Sequence, residues 1–307
     1  MSVGKTTVNS IPLVRAEHVI TYIDWLRKLG TPVERELRRA RLPVLIDEMP
    51  EQFICHDLAY RFLGNCVDLE GIDDIGFEAG WKLTRQDFGE SMNRALTQAP
   101  TLNSSIECFA RLIRQEDTGM RCGMRREGET TRIWIHQYVP DGGDKRIAEW
   151  QNLKAVIEIL RHQAGSDWLP PASGFESSLT PSQSVCDRLG SVELFSDQQE
   201  SWIDIPSRLL SQPITTRSVE STEDASIGSA DDETGNRPAS GWIDDLSDAL
   251  IPYLPSGHPP IDLAAEMAGT SVRSLQRRLN RMQTSYIELV ERIRFEQAVR
   301  LMRDSNL

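Results

Sequence analysis

The stretch IDLAAEMAGTSVRSLQRRLN, Ile261 to Asn280, decides how this chain is read. Pro260 stands just before it, and a helix tolerates proline in its first turn because the missing N–H would have no partner there. The segment then runs to Gly269, a residue free to take the left-handed turn that closes a helix. Ser271 offers a side-chain oxygen to the orphan N–H groups of a second helix, VRSLQRRLN. In that helix Val272, Leu275 and Leu279 recur at three- and four-residue spacing and mark a buried side. Arg273, Gln276, Arg277 and Asn280 fall on a different face, and Arg278 on a third flank. Ala264 and Ala265 are small enough for the two helices to cross closely. A helix, a short glycine turn, a serine cap and a polar-faced helix make up a helix-turn-helix arrangement.

The polar stripe has a definite chemistry. Arginine can hold O6 and N7 of guanine, and glutamine or asparagine can hold N6 and N7 of adenine, each pair giving roughly 1–3 kcal/mol of base discrimination. A basic amphipathic helix is also what an ordinary solvated face looks like. The turn chemistry and the small residues of the first helix favour the DNA reading.

Charge is unevenly distributed around this segment. The 307 residues carry 46 acids against 34 lysines and arginines, a formal net charge of −12. From Gly257 to Leu307, eight arginines face six acids, and Arg273 to Arg281 holds four arginines and no acid. An acidic total argues against non-specific binding of nucleic acid by the whole surface, but not against a local basic site.

On the C-terminal side, TSYIELVERIRFEQAVRLM predicts a long helix from Ser285 to about Arg303, with Ser285 and Glu288 in a capping box. Ile293, Val299 and Met302 are its expected exposed apolar residues. On the N-terminal side, GWIDDLSDALIPYL predicts a helix ending near Pro252. Before that, Thr215 to Gly241 is rich in Ser, Thr, Asp, Glu and Gly and nearly free of large apolar residues, so it cannot bury enough surface to offset its ordering entropy. It reads as a flexible acidic linker.

Residues 1–214 read as α+β. EHVITYIDWLRKLG and PTLNSSIECFARLIRQ have helical periodicity, the first ending at Gly30 and the second with Leu102, Ile106, Phe109 and Ile113 on one face. GMRCGMR and TRIWIHQY flank REGET and predict a hairpin with Gly128 in the turn. Trp134, His136 and Tyr138 share a strand face that could line a pocket, although such faces are more often core. A helix from about Asp144 to Gln163 carries a seam of Trp150, Leu153, Ile157 and Leu160, suited to packing on the sheet or on a second copy of the chain. SVELF and ESWIDIPSRLL predict short strands and a helix end. The expected architecture is thus an α+β domain at 1–214, a linker at 215–241 and an all-α helix-turn-helix domain at 242–307.

The run from Ile261 to Leu307 resembles the AraC/XylS family of bacterial transcription regulators. Ala265, Gly269, Ser271, Leu275, Gln276, Arg277, Leu279, Thr284, Arg294 and Ala298 carry the resemblance. The N-terminal region also resembles the arabinose-binding-type effector domain of some members, through its order of helices and strands and the APTL stretch at Ala99–Leu102. The resemblance implies a cytoplasmic, effector-responsive regulator that dimerises through its N-terminal domain and binds double-stranded promoter DNA. By position it implies Ser271, Arg273, Gln276, Arg277 and Arg278 as DNA-binding residues, with Arg278 on phosphate or solvated. Members normally carry two helix-turn-helix units, and the expectation here is the first alone, since the sequence stops at Leu307. A single unit makes fewer phosphate contacts and binds more weakly. The alternative reading is therefore a ligand-sensing or dimerising interaction module that does not bind DNA tightly.

An enzyme is the third class, and no residue set names a catalytic group. GKTT at Gly4–Thr7 resembles the end of a phosphate loop but lacks the upstream glycine and strand. Five histidines and five cysteines lack metal spacing and C-x-x-C pairs, although Cys122 and His136 could face each other across the hairpin. Asp73–Asp74 and Asp244–Asp245 read as a turn and a first helical turn. No cofactor, metal, signal peptide or membrane span is expected.

Overall fold

The computed structural model describes residues 10–72, 74–84, 87–211 and 241–304, apart from the side chains of His162, Gln163 and Asp304. Strand β1 (Leu13–Arg15) leads into α1 (Glu17–Leu29), which Gly30 closes at φ +89°. Helix α2 (Val33–Ala40) follows, then a 3-10 turn, then β2 (Phe53–Cys55), which pairs antiparallel with β1. Helix α3 (His56–Glu70) starts directly where β2 ends. Helices α4 (Ile75–Gly80), α5 (Glu90–Gln98) and α6 (Leu102–Glu116) come next. Thr101 and Ser104 cap α6 reciprocally, each side chain accepting from the other's backbone N–H.

The expected hairpin is β3 (Met120–Glu127) and β4 (Thr130–Gln137), with Gly128 at φ +65°. Beyond it lie α7 (Lys145–Ala164), β5 (Ala172–Gly174), α8 (Gln183–Leu189), β6 (Glu193–Phe195), β7 (Ser201–Pro206) and α9 (Ser207–Leu210). The five longer-range strands form one sheet in the order β3-β4-β7-β5-β6, antiparallel except for the β5–β6 pair. Cys122 pairs with Ile135, not His136, whose partner is Arg121. Alternation along the strands therefore puts Cys122 and His136 on opposite faces, and they do not meet.

Among the described residues four α-helices follow Gly241, with a 3-10 helix at Ile251–Ser256 between the first two: α10 (Trp242–Leu250), α11 (Ile261–Met267), α12 (Val272–Arg281) and α13 (Tyr286–Asp304). Of the expected linker, only Gly241 lies among the described residues. The molecule is thus mixed α and β with a helical C-terminal region.

Two apolar cores divide the chain. One contains Trp150, Leu153, Ile157 and Leu160, so the α7 seam is buried within this chain, against the sheet and neighbouring helices. Gly76 and Gly80 let α4 lie directly on α7: a Cβ on Gly76 would stand 2.6 Å from the Ile147 Cα. The other core joins β1, β2 and α1–α3 to α10–α13, so Leu26, Leu37 and Ile54 share a cluster with Leu246, Leu275 and Ile293. Ile293 corrects an expectation. It is 1% exposed because Tyr286, Leu289, Val290 and Ile293 form one buried helical face. Val299 is half-buried, and Ile287, Phe295, Leu301 and Met302 are the outward large apolar residues of α13 among the described residues.

Candidate nucleic-acid interface and internal cavity

Local sequence sets the path from α11 to α12. Helix α11 ends at Met267 with Ala268 as its C-cap, and Gly269 takes φ +58°, a left-handed conformation that glycine adopts without steric cost. The Thr270 N–H then returns to the Ala265 carbonyl at 2.9 Å. Ser271 has extended backbone, and its Oγ accepts the Ser274 N–H at 3.3 Å. At the far end, Ser285 and Glu288 form the expected capping box, with the Ser285 N–H on Glu288 at 2.7 Å.

Leu275 and Leu279 are fully buried beneath α12, and Ala264 and Ala265 are buried at the α11 crossing. Ser271, Arg273, Gln276, Arg277 and Asn280 are all exposed. Among the described residues no carboxylate pairs with Arg273 or Arg277. Arg278 is placed differently: its guanidinium lies 3.8 Å from the Trp242 ring centre, a stacked position between α12 and α10. Half-burial there lowers its pKa.

The N-terminal helices grip the other side of this region, a feature with no periodic signal in the sequence. Arg41 pairs with Asp262 at 2.7 Å and Glu266 at 2.8 Å, and Arg61 pairs with Glu266 at 2.5 Å. The acids of α11 are thereby neutralised beside the arginines of α12. The Tyr253 hydroxyl donates to the Arg41 carbonyl at 2.8 Å. Asp244 sits in the first turn of α10, as expected, and accepts from the Gly241 N–H. Asp245 reaches further, to the buried Ile11 N–H at 3.0 Å.

Behind α3 lies a second candidate site, a partly open cavity of about 60 Å³ between α1, α3, α6, α7 and the start of β3. Its walls are mostly apolar, with aromatic surface from Tyr22, Tyr60, Phe88 and Phe109. The polar wall centres on Asp117. Its carboxylate accepts from His56 Nε2 at 2.8 Å, Gln137 Nε2 at 2.9 Å and the Gly119 N–H at 2.8 Å. Burial pushes the Asp117 carboxyl up, but His56 and these hydrogen bonds outweigh it and hold the pKa below its usual value. His18 also lines the cavity, and burial lowers its pKa. Tyr22 donates to the Ile147 carbonyl at 3.2 Å or to Gln151 at 3.3 Å.

This cavity is not the one that the Trp134, His136 and Tyr138 face suggests. Trp134 pairs across the sheet with Trp202, and His136 is exposed. Tyr138 donates to Asp57 at 3.1 Å outside the cavity. Gln137, on the opposite strand face, reaches the cavity instead. Nothing local distinguishes Gln137 or Asp117 in the sequence, since only the long-range fold brings them to His56. GKTT and Asp73 lie outside the described residues, as does the side chain of His162. Among the described residues no group of three or more His, Cys, Asp or Glu could hold a metal ion, and no helix is long and apolar enough to cross a membrane.

No protein-family model matches the chain, and no curated protein matches it. Among solved structures, the chain is similar to the transcriptional regulator CdpR from Pseudomonas aeruginosa. The two are 19% identical, with 90% of this chain and 86% of that chain covered at a TM-score of 0.43.

Proposed function

We propose that this chain is an effector-responsive, DNA-binding transcription regulator of the AraC type, and not an enzyme. Helices α11 and α12 act as a helix-turn-helix whose second helix enters the major groove of double-stranded promoter DNA. Arg273, Gln276 and Arg277 read base edges. Ser271 caps the helix at the groove, and Arg278 braces it on Trp242 with its outer edge near the phosphates. One observation carries this reading: a stripe of exposed planar donors, free of acidic partners among the described residues, lies opposite the fully buried Leu275 and Leu279. Residues 1–214 serve as an effector-sensing and homodimerising unit, 215–241 as a flexible acidic linker and 242–307 as the DNA-docking unit of a cytoplasmic protein.

A gel-shift salt series on duplex promoter DNA tests the proposal. Arg277→Ala should cost roughly 1–3 kcal/mol of binding to the preferred sequence. Binding unchanged at every salt concentration would remove α12 as the reader.

A second reading, an interaction module that pairs with other chains and does not bind DNA tightly, is favoured by the outward Phe295 and Met302 on α13. It predicts self-association by light scattering and no retarded DNA band.

A further inference from the structure

Helix α11 carries two acids beside α12. Asp262 and Glu266 stand four positions apart, so they share a face of α11. Glu266 comes just before the turn at Gly269 that leads into α12. The run from Ile261 to Arg281 holds these two acids and four arginines, Arg273, Arg277, Arg278 and Arg281. Left unmatched, the acids would cancel half of that positive charge. Packed helices lie roughly 8–10 Å apart, close to the Debye length of about 8 Å at physiological ionic strength. Charge on α11 is therefore felt at α12 and by phosphates docked there.

Helix α11 contains no lysine or arginine, and the cations that meet its acids come from the N-terminal helices. Arg41, at the end of α2, bridges Asp262 at 2.7 Å and one oxygen of Glu266 at 2.8 Å, and Arg61 of α3 takes the other oxygen at 2.5 Å. The hydrogen bond from Arg41 lowers the Asp262 pKa, so this acid stays ionised and its charge is matched, not removed. The backbone fixes Arg41 in place. It closes α2 at φ +64°, an uncommon conformation for a residue other than glycine, and its carbonyl accepts from the Tyr253 hydroxyl at 2.8 Å. Both arginine side chains are about a third exposed, and exposed ion pairs contribute little to stability. The apolar core, in which Leu37 and Ile54 share a cluster with Leu246 and Leu275, already holds these helices together. What the ion pairs change is the charge that α11 shows.

We infer that Arg41 and Arg61 are positioning residues for DNA docking. By matching Asp262 and Glu266 they leave α12 to present its arginines without negative charge alongside, so the helix-turn-helix binds DNA in full only while the N-terminal helices are docked on it. This rests on the DNA-binding function proposed above, and it gives the N-terminal unit a physical means of acting on that binding.

The test uses the full chain and a fluorescently labelled, mixed-sequence duplex DNA, read by anisotropy over a salt series. Arg41→Gln combined with Arg61→Gln keeps much of both side-chain stems and removes both cations. This variant should bind about threefold to tenfold more weakly at low salt, with the gap closing as salt rises. Adding Asp262→Asn and Glu266→Gln to it should restore wild-type affinity, a rescue that arginines acting only as struts or as direct phosphate contacts would not give. Thermal unfolding checks that each variant is folded. If the double variant is not, Arg61→Gln alone should show a smaller loss with the same salt dependence, and Glu266→Gln should rescue it. The inference is overturned if removing the cations leaves binding unchanged at low salt, if the loss does not depend on salt, or if neutralising the acids fails to restore affinity. No binding by the wild type at any salt concentration would overturn the DNA reading and this inference together. Wild-type binding that ignores these substitutions would overturn this inference alone.

Discussion

The outward face of α12 and the cavity behind α3 are built by opposite means. The face comes from ten consecutive residues whose spacing sorts them into a buried and an exposed side. The cavity comes from α1, α3, α6, β3, β4 and α7, and its central pair, His56 and Asp117, is separated by 61 positions. A local pattern makes the face legible, while the cavity exists only once distant segments pack. The two nonetheless share a support, since Leu275 and Leu279 are buried in the same apolar core as the α1 and α3 side of the cavity wall.

That shared support gives the largest expected effect. Leu275→Ala should destabilise the fold by about 2–5 kcal/mol, because a fully buried side chain leaves a void that packing refills only in part. Urea unfolding would measure it. If α12 were an independent surface element, the loss would be near zero and the two regions would not be coupled.

The cavity side is probed by Asp117→Ala, which strands His56, Gln137 and the Gly119 N–H together. A loss of about 3 kcal/mol is expected, since buried donors are left without an acceptor. The Asp117 pKa is lowered in the fold, so its contribution is present above the unfolded carboxyl pKa and fades as pH falls. The gap between wild type and variant should therefore narrow in acid.

On α12, neighbouring arginines should separate cleanly. Arg278→Ala should lower stability by about 0.5–2 kcal/mol through loss of its stacking on Trp242. Arg277→Ala should stay within about 0.5 kcal/mol of wild type in stability, as exposed substitutions do, while weakening DNA binding. Equal stability losses would erase the distinction between a bracing and a reading arginine.

The smallest effect is a pH dependence near the entrance of α1. Glu17 is half-buried, and burial, with Glu51 and Glu116 nearby, pushes its pKa up to about 7. A raised acid pKa means that the folded state holds the proton more tightly, so stability falls as pH rises from the unfolded carboxyl value towards 7. Glu17→Gln should raise the melting temperature at pH 8 and make little difference near pH 4. An unchanged melting temperature at pH 8 would show that Glu17 is solvated like an ordinary surface acid.

Several elements were readable without any tertiary knowledge because their signals are local. Gly30 and Gly269 close helices at positive φ, Ser271 caps α12, Gly128 turns the hairpin, and Ser285 and Glu288 box the start of α13. Each depends on residues within four positions of one another. Where expectation and structure differ, the deciding contact is distant or one register step away. Ile293 is inside because α13 docks on the shared core, and Cys122 misses His136 because the hairpin pairs it with Ile135. Trp134, His136 and Tyr138 were prominent by residue type, yet the strand's opposite face supplies Gln137 to the cavity.

The helix and strand periods, the caps and turns, and the division of α12 into a leucine side and an arginine side are all legible in short stretches of the chain. Backbone propensity and side-chain spacing act over a few residues, so they are written locally. Long-range packing sets that Arg41 and Arg61 clasp the acids of α11, that Arg278 lies on Trp242, and that His56 meets Asp117 while its Nδ1 has no partner among the described residues. Those contacts depend on packing and desolvation between segments far apart in the chain, and no short pattern encodes them.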